Sequence, residues 1–374
     1  MSEAPEVAAP PQFLTEHDRR LRVAAANPKV ISFAGGLPDP ALFPRRELTR
    51  AFIDTVNRRS CAGLQYGWPE GSAQLRCYVA ERLVERGAHV EPDQVVITSG
   101  AQQAIFVVLH AALRRGATIG FEDESYPGAL DAARAFGARL AAIDEPANAY
   151  YLMPSLSNPR GCSLAAGARS ALLLRARNAR AYLIEDDAYA ETRFSASPLR
   201  PLLADAPERV FHIGTLSKTL CPGLRVGWVV PPKRFLRRIL RAKQNNDLQA
   251  NGLSQALVEG YLSQGGFEAH KQRARRNYRR RARRLSRALR HHLPWLRFDE
   301  PEGGFSLWLA TDLHSSEEAV FDAAVREGVS LDMGRAFCRV APKKLSFRLC
   351  YSAVPEREIE EGVQRLARAL QRVA

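Results

Sequence analysis

Short apolar stretches alternate with amphipathic ones through the middle of the chain. VVIT (95–98) precedes the apolar run AIFVVLHAALRR (104–115), and ATIGFED (117–123) precedes ALDAARAFG (129–137). Residues 138–143, AYLIEDD (181–187) and RVFHIGT (209–215) are further strand candidates, and WVV (228–230) ends at Pro231-Pro232, a stop signal. Alternation of this kind predicts an α/β unit built on a mostly parallel sheet. The pattern changes after residue 270. Residues 271–291, KQRARRNYRRRARRLSRALRH, read as one long helix: Leu285 and Leu289 fall four apart, Tyr278 lies on a similar stripe, and the opposite face is basic. Beyond it GGFSLWLA (303–310), VSLDMG (329–334) and LSFRLCYS (345–352) are strand-like, with helices expected over 316–327 and 356–372.

Composition narrows this picture. At roughly 150 residues per domain, 374 residues suggest about two domains. With 46% hydrophobic residues the chain can bury a sizeable core. Its longest apolar stretch, near Ala104–Leu113, is too short to span a bilayer. The first twenty residues carry Glu3, Glu6, Glu16 and Asp18 and no signal-type apolar core. Six scattered cysteines without zinc spacing read as reduced thiols in a cytoplasmic protein, and no metal is expected. The net charge of +14 concentrates in the basic helix. A solvated helix face is the plainer reading of that charge than a nucleic-acid site, because no helix-turn-helix or zinc finger accompanies it.

Candidate chemistry sits in a few strand ends. Gly214-Thr215-Leu216-Ser217-Lys218-Thr219 follows a buried-looking strand and leads through Cys221-Pro222-Gly223 to Arg225. Partial desolvation there lowers a lysine pKa and makes its amine a nucleophile. Thr215, Ser217 and Arg225 together suit a phosphate; the plain alternative is a mobile loop with a solvated lysine. Thr98-Ser99-Gly100-Ala101-Gln102-Gln103 joins a strand to a helix, where small residues let N–H groups face an anion. Many such turns contain glycine without binding anything. Glu185-Asp186-Asp187-Ala188-Tyr189 ends another strand. Carboxylates crowded there repel one another, which points either to an acid held against a cationic ring nitrogen or to magnesium. Asn158-Pro159-Arg160-Gly161 reads as a turn. In LSFRLCYS, alternation puts Leu345, Phe347 and Leu349 on one face and Arg348 on the other, as a solvated edge group or a carboxylate fork.

In this order the motifs resemble the class I aminotransferases of pyridoxal-phosphate (PLP) fold type I. Within them the chain is most similar to the 2-aminoadipate/kynurenine aminotransferase branch and to the aminotransferase-like half of MocR-type regulators. The resemblance runs from ISFAGGLPDPALFP (31–44) through LQYGWPEG (64–71), TSGAQQA (98–104), ESYPGAL (124–130), SNPRG (157–161) and EDDAY (185–189). It continues to GTLSKTLCPGLRVGW (214–228), EGGFSLWL (302–309) and LSFRLCYS (345–352). It implies an aspartate aminotransferase-like fold: a large PLP-binding α/β domain over 45–270 and a small α+β domain over 271–374. Segment 13–44 would complete the small domain, and residues 1–12 would form a flexible arm.

The resemblance also implies roles. Lys218 would hold PLP as a Schiff base and shuttle a proton between substrate Cα and cofactor C4′. Asp186 would pair with the pyridine nitrogen, Tyr189 and Asn158 would bond the ring 3′-oxygen, and Tyr126 would stack on the ring. Gly100, Ala101 and Gln102, with Thr215, Ser217 and Arg225, would bind the phosphate. Tyr66 would reach the phosphate of a neighbouring subunit, so a homodimer with shared sites is expected. Arg348 would clamp the substrate α-carboxylate, helped by Asn158 and the backbone near Gly36. The implied reaction moves an amino group from an amino acid to a 2-oxo acid, with no nucleic-acid or membrane partner.

Two departures stand out. The family usually has Asn-Pro-Thr-Gly where this chain has Asn158-Pro159-Arg160-Gly161, which places a bulky cation near the expected mouth of the site. It usually has Ser where Thr215 stands. The altered turn leaves room for another PLP reaction, such as a decarboxylase, a lyase or an oxidative deaminase. A non-catalytic amino-acid sensor of MocR type is a third reading. That branch carries a DNA-binding domain ahead of the shared region, which here begins near residue 31.

Overall fold

The computed structural model describes residue 22 and residues 27–57, 63–195 and 197–373. The arm expected at 1–12 and most of 13–26 lie outside the described residues. In chain order come β1 (Ile31–Ser32), α1 (Arg45–Val56) and α2 (Ala73–Glu85). The alternating middle is β2 (Val96–Thr98), α3 (Ala101–Ala112), β3 (Thr118–Phe121), α4 (Pro127–Phe136), β4 (Arg139–Ala142) and β5 (Ala149–Leu152). It continues with α5 (Ala166–Asn178), β6 (Tyr182–Asp186), β7 (Val210–Thr215) and β8 (Gly227–Val230). Helices α6 (Leu236–Asp247), α7 (Gly252–Leu262) and α8 (Phe267–His292) then lead to β9 (Ser306–Thr311), α9 (Glu317–Arg326) and β10 (Val329–Ser330). The last elements are β11 (Asp332–Met333), β12 (Leu345–Cys350) and α10 (Ile359–Gln371).

Strands β2 to β8 form one sheet in the order β2-β8-β7-β6-β5-β3-β4. β3 to β7 are parallel, and β8 runs antiparallel to both of its neighbours. Every residue of β5 and of β7 is buried, as strands covered on both faces require. The ends of β3, β5, β6 and β7 therefore share one edge, the edge where open α/β sheets bind ligands. Sequence pattern does not single out β5, because AYYL is four residues long and apolar throughout.

The apolar run at 329–334 is two strands, not one. β10 pairs in parallel with β1, while β11 pairs antiparallel with β12, which in turn pairs with β9. The chain changes sheets at the fully buried Leu331. Helix ends shift too. α3 starts at Ala101 because Gly100 turns the chain with φ 83. α4 starts at Pro127, where a missing N–H costs nothing, and stops at Gly137 in the left-handed conformation. In α8 the stripe of Tyr278, Leu285 and Leu289 faces the core. Arg281 is buried as well, paired with Asp39 at 2.5 Å.

Candidate active site

A cavity of about 670 Å³ opens at the carboxyl edge of the seven-stranded sheet and is walled on its far side by β11 and β12. Lys218, three residues beyond β7, projects into it. Its Nζ lies 3.4 Å from Gly36 O and 5.2 and 5.7 Å from the ring centres of Tyr189 and Phe305. Burial, and then the Arg348 cation, push the amine down to about 8. Roughly a tenth of the amine is then neutral at pH 7, far more than for an ordinary lysine.

The acidic end of β6 resolves into separate tasks. Glu185 accepts the N–H groups of Leu202 and Leu203 at 2.7 and 3.1 Å. Asp187 pairs with Arg86 at 2.6 Å. Asp186 alone of the three lines the cavity, where it accepts the Tyr151 hydroxyl at 2.6 Å and the Ala188 N–H at 3.1 Å. Burial pushes Asp186 up to about 6, opposed by the Tyr151 hydrogen bond. Three carboxylates coexist here because each has its own partner. Among the described residues, no group of three or more His, Cys, Asp and Glu is disposed to hold a metal. Tyr151 comes from β5, and sequence reasoning missed it; the run AYYLM before Pro154 was its only signal.

The opposite end of the cavity is an anion cradle. Ala101 and Gln102 open α3, whose first N–H groups have no intrahelical partner. The Gln102 side chain is spent elsewhere, donating to Gly128 O at 2.7 Å, so the residue offers its backbone. Thr215 Oγ1 lies 2.8 Å from Val226 O and accepts the Ser217 N–H at 3.1 Å. Arg225, in the left-handed conformation, reaches back with Nη2 3.1 Å from Ser99 O and Nη1 3.5 Å from Ser217 Oγ. A Cβ on Gly100 would fall 2.5 Å from Arg225 Nη2, so glycine is what lets the guanidinium close over the helix start.

Arg348 lies on β12, the central strand of its sheet, and is buried, which rules out a solvated edge group. Its Nη1 donates to Asn158 Oδ1 at 2.8 Å. Its Nε and Nη2 donate to Asp332 Oδ2 at 2.9 and 2.6 Å. Sequence reasoning missed Asp332, because the pairing follows from the register of β11 against β12. Tyr126, Asn158, Tyr189 and Gly36 also line the cavity. Tyr66 does not; it is 80% exposed on the outside of the chain. Arg160 is not at the cavity wall either. It faces Glu124 at 3.7 Å and Asp299 at 3.8 Å.

An amine, a buried acid and an anion cradle placed around one cavity match the aldehyde, ring nitrogen and phosphate of PLP. The comparisons agree. A family model described as aminotransferase class I and II matches residues 33–366. A 2-aminoadipate transaminase of Thermus thermophilus is 34% identical, covering 94% of this chain and 93% of that one. An alpha-aminoadipate aminotransferase from the same organism, solved with N-(5'-phosphopyridoxyl)-L-leucine, superposes with a TM-score of 0.87 at 34% identity, covering 95% of each chain. A Pyrococcus horikoshii kynurenine aminotransferase gives a TM-score of 0.90 at 28% identity, covering 96% of this chain and 95% of that one. The chain belongs to the class I and II aminotransferases, PLP-dependent enzymes of fold type I that transfer amino groups.

Proposed function

We propose that the transfer runs in this cavity, with Lys218 as the residue that holds the cofactor and then carries a proton to and from the substrate carbon. The observation behind this reading is a buried amine, its proton affinity lowered by burial, in one cavity with Asp186 and the Arg225 cradle. Bound PLP supplies an electron sink at the substrate carbon. Asp186 keeps the ring nitrogen protonated, and Tyr151 in turn holds Asp186 by its hydroxyl. Tyr189 and Asn158 serve the ring oxygen, and Tyr126 covers the ring. The N–H groups at Gly100, Ala101 and Gln102 take the phosphate together with Thr215, Ser217 and Arg225. Arg348 and Asn158, with the backbone near Gly36, hold the acid end of amino-acid and 2-oxo-acid substrates and so orient the bond that breaks.

Tyr66 at 80% exposure and Trp68 at 76% stand next to each other on the surface with Leu64. This apolar patch suits a second copy of the chain, with Tyr66 reaching its phosphate site. The five cysteines among the described residues stand free, which favours a reducing compartment, and we place the enzyme in the cytoplasm. No helix among the described residues is long and apolar enough to cross a membrane. No observation favours decarboxylation, elimination, oxidative deamination or a sensor role over transfer.

The test is spectroscopic. Purified protein with cofactor should absorb in the visible, and Lys218→Ala should lose that band. Adding an amino acid without an oxo acid should give stoichiometric conversion to the pyridoxamine form and one equivalent of oxo acid. Release of carbon dioxide, or turnover without a second substrate, would overturn the reading.

A further inference from the structure

Most of the bonding capacity of Arg348 is already used inside the chain. A guanidinium has five N–H donors. Two go to Asp332 Oδ2 and one to Asn158 Oδ1. The Phe337 ring lies 4.5 Å from Cζ and covers one face. The Gly36 backbone closes over the tip: a Cβ there would sit 3.2 and 3.3 Å from Nη1 and Nη2. Two N–H groups remain for a ligand.

Asp332 is held as firmly as its partner. It sits opposite Arg348 in the strand register, and its two carboxylate oxygens accept the Gly35 N–H at 3.1 and 3.0 Å. The two side chains are 8% and 5% exposed, and both residues line the cavity. The pair is a fixed part of the wall. A carboxylate that reaches the two free N–H groups meets a cation whose charge is already balanced. It also meets the Asp332 charge on the far edge of the same guanidinium, and like charges so close in a buried site oppose each other. A neutral group in the same place meets neither difficulty.

We propose that Asp332 is the specificity-determining residue of this end of the site: by neutralising Arg348 it relaxes the demand for an α-carboxylate, so the enzyme also accepts amines and aldehydes whose reacting carbon bears none. The inference deepens the aminotransferase reading and rests on it. The net exchange is R–CH2–NH2 plus a 2-oxo acid giving R–CHO plus the amino acid. The amine carbon is oxidised as the oxo carbon is reduced, so no outside oxidant is required. Asp332 acts through Arg348 as a positioning residue and touches no reacting atom.

The test begins with binding, without turnover. Isovalerate and isovaleramide share a shape and differ in charge, and both are titrated calorimetrically into the wild-type holoenzyme. The acid should be preferred by less than roughly tenfold, and Asp332→Asn, which keeps the size and one acceptor oxygen, should widen that preference by roughly tenfold or more. In single-turnover assays across a panel, wild type should convert an amino acid and the amine of the same side chain within about a hundredfold in kcat/KM. Asp332→Asn should move that ratio toward the amino acid. A wild-type preference for acids beyond about a hundredfold, or a ratio unmoved or reversed in the variant, overturns the proposal. If Asp332→Asn fails to fold, the wild-type acid-to-amide ratio decides alone. If no amino compound discharges the cofactor, the aminotransferase reading fails, while the same binding ratio still judges Asp332.

Discussion

A lysine amine whose ordinary value near 10.5 falls to about 8 on burial loads the protein differently with and without its cofactor. In the cofactor-free chain Lys218 resists protonation, whereas the unfolded chain binds that proton up to about pH 10.4. Between the two values the unfolded state holds more protons, so stability rises with pH across that window and the penalty is full below pH 8. Lys218→Met should therefore melt higher than cofactor-free wild type at pH 7, by an amount on the order of 3 kcal/mol. The gap should close as the pH approaches 10 in a series of thermal melts. The candidate status of Lys218, Asp186 and Arg348 was legible in the chain, because Asp186 and Arg348 lie in recognisable strands and Lys218 follows one by three residues. Their nearest partners were not. Tyr151 and Asp332 meet them across a sheet, and cross-strand pairing depends on register that no local pattern encodes.

Elements were legible where their period was long and one-sided. α8 declares itself through Tyr278, Leu285 and Leu289, and α10 through Ile359, Val363, Leu366 and Leu370, all buried. Short, uniformly buried pieces were not, as β5 and the divided strands at 329–333 show. The sheet order, with β8 inserted antiparallel between β2 and β7, is likewise a product of long-range packing. One contact ties the basic helix to the N-terminal segment. Asp39 caps the short turn at Pro40–Leu42 through the Ala41 N–H at 2.9 Å, pairs with Arg281, and places its own N–H 3.2 Å from the Tyr278 hydroxyl. Asp39→Ala leaves a buried arginine without its counter-charge, and should cost about 3–5 kcal/mol. Denaturant unfolding checks this, and a loss below about 1 kcal/mol would mean that Arg281 finds another partner.

At the scale of the molecule, Leu64, Tyr66 and Trp68 are large apolar side chains left exposed to solvent. If a second copy covers them, Trp68→Asp should shift the protein from twice the mass of one chain to one. It should also weaken cofactor retention, because Tyr66 then no longer reaches a neighbouring phosphate site. Light scattering and dialysis against cofactor-free buffer measure the two effects. The +14 net charge bears on association rather than on the fold, and part of it is inside: Lys243, Lys271, Arg281 and Arg348 are buried. A different property follows from residues 33–36. Gly36 O meets the Lys218 amine, Gly36 also lies against the Arg348 guanidinium, the Gly35 N–H holds Asp332, and Phe33 O accepts the Cys350 N–H at 2.7 Å. One short stretch of backbone therefore touches both the Lys218 amine and the Arg348–Asp332 pair. Thermodynamic reciprocity then fixes a relation between them: whatever factor a bound carboxylate adds to the proton affinity of Lys218, protonation adds to the carboxylate affinity. If a bound carboxylate raises the proton affinity of Lys218, the cofactor-free chain should hold acids more tightly as the pH falls through about 8.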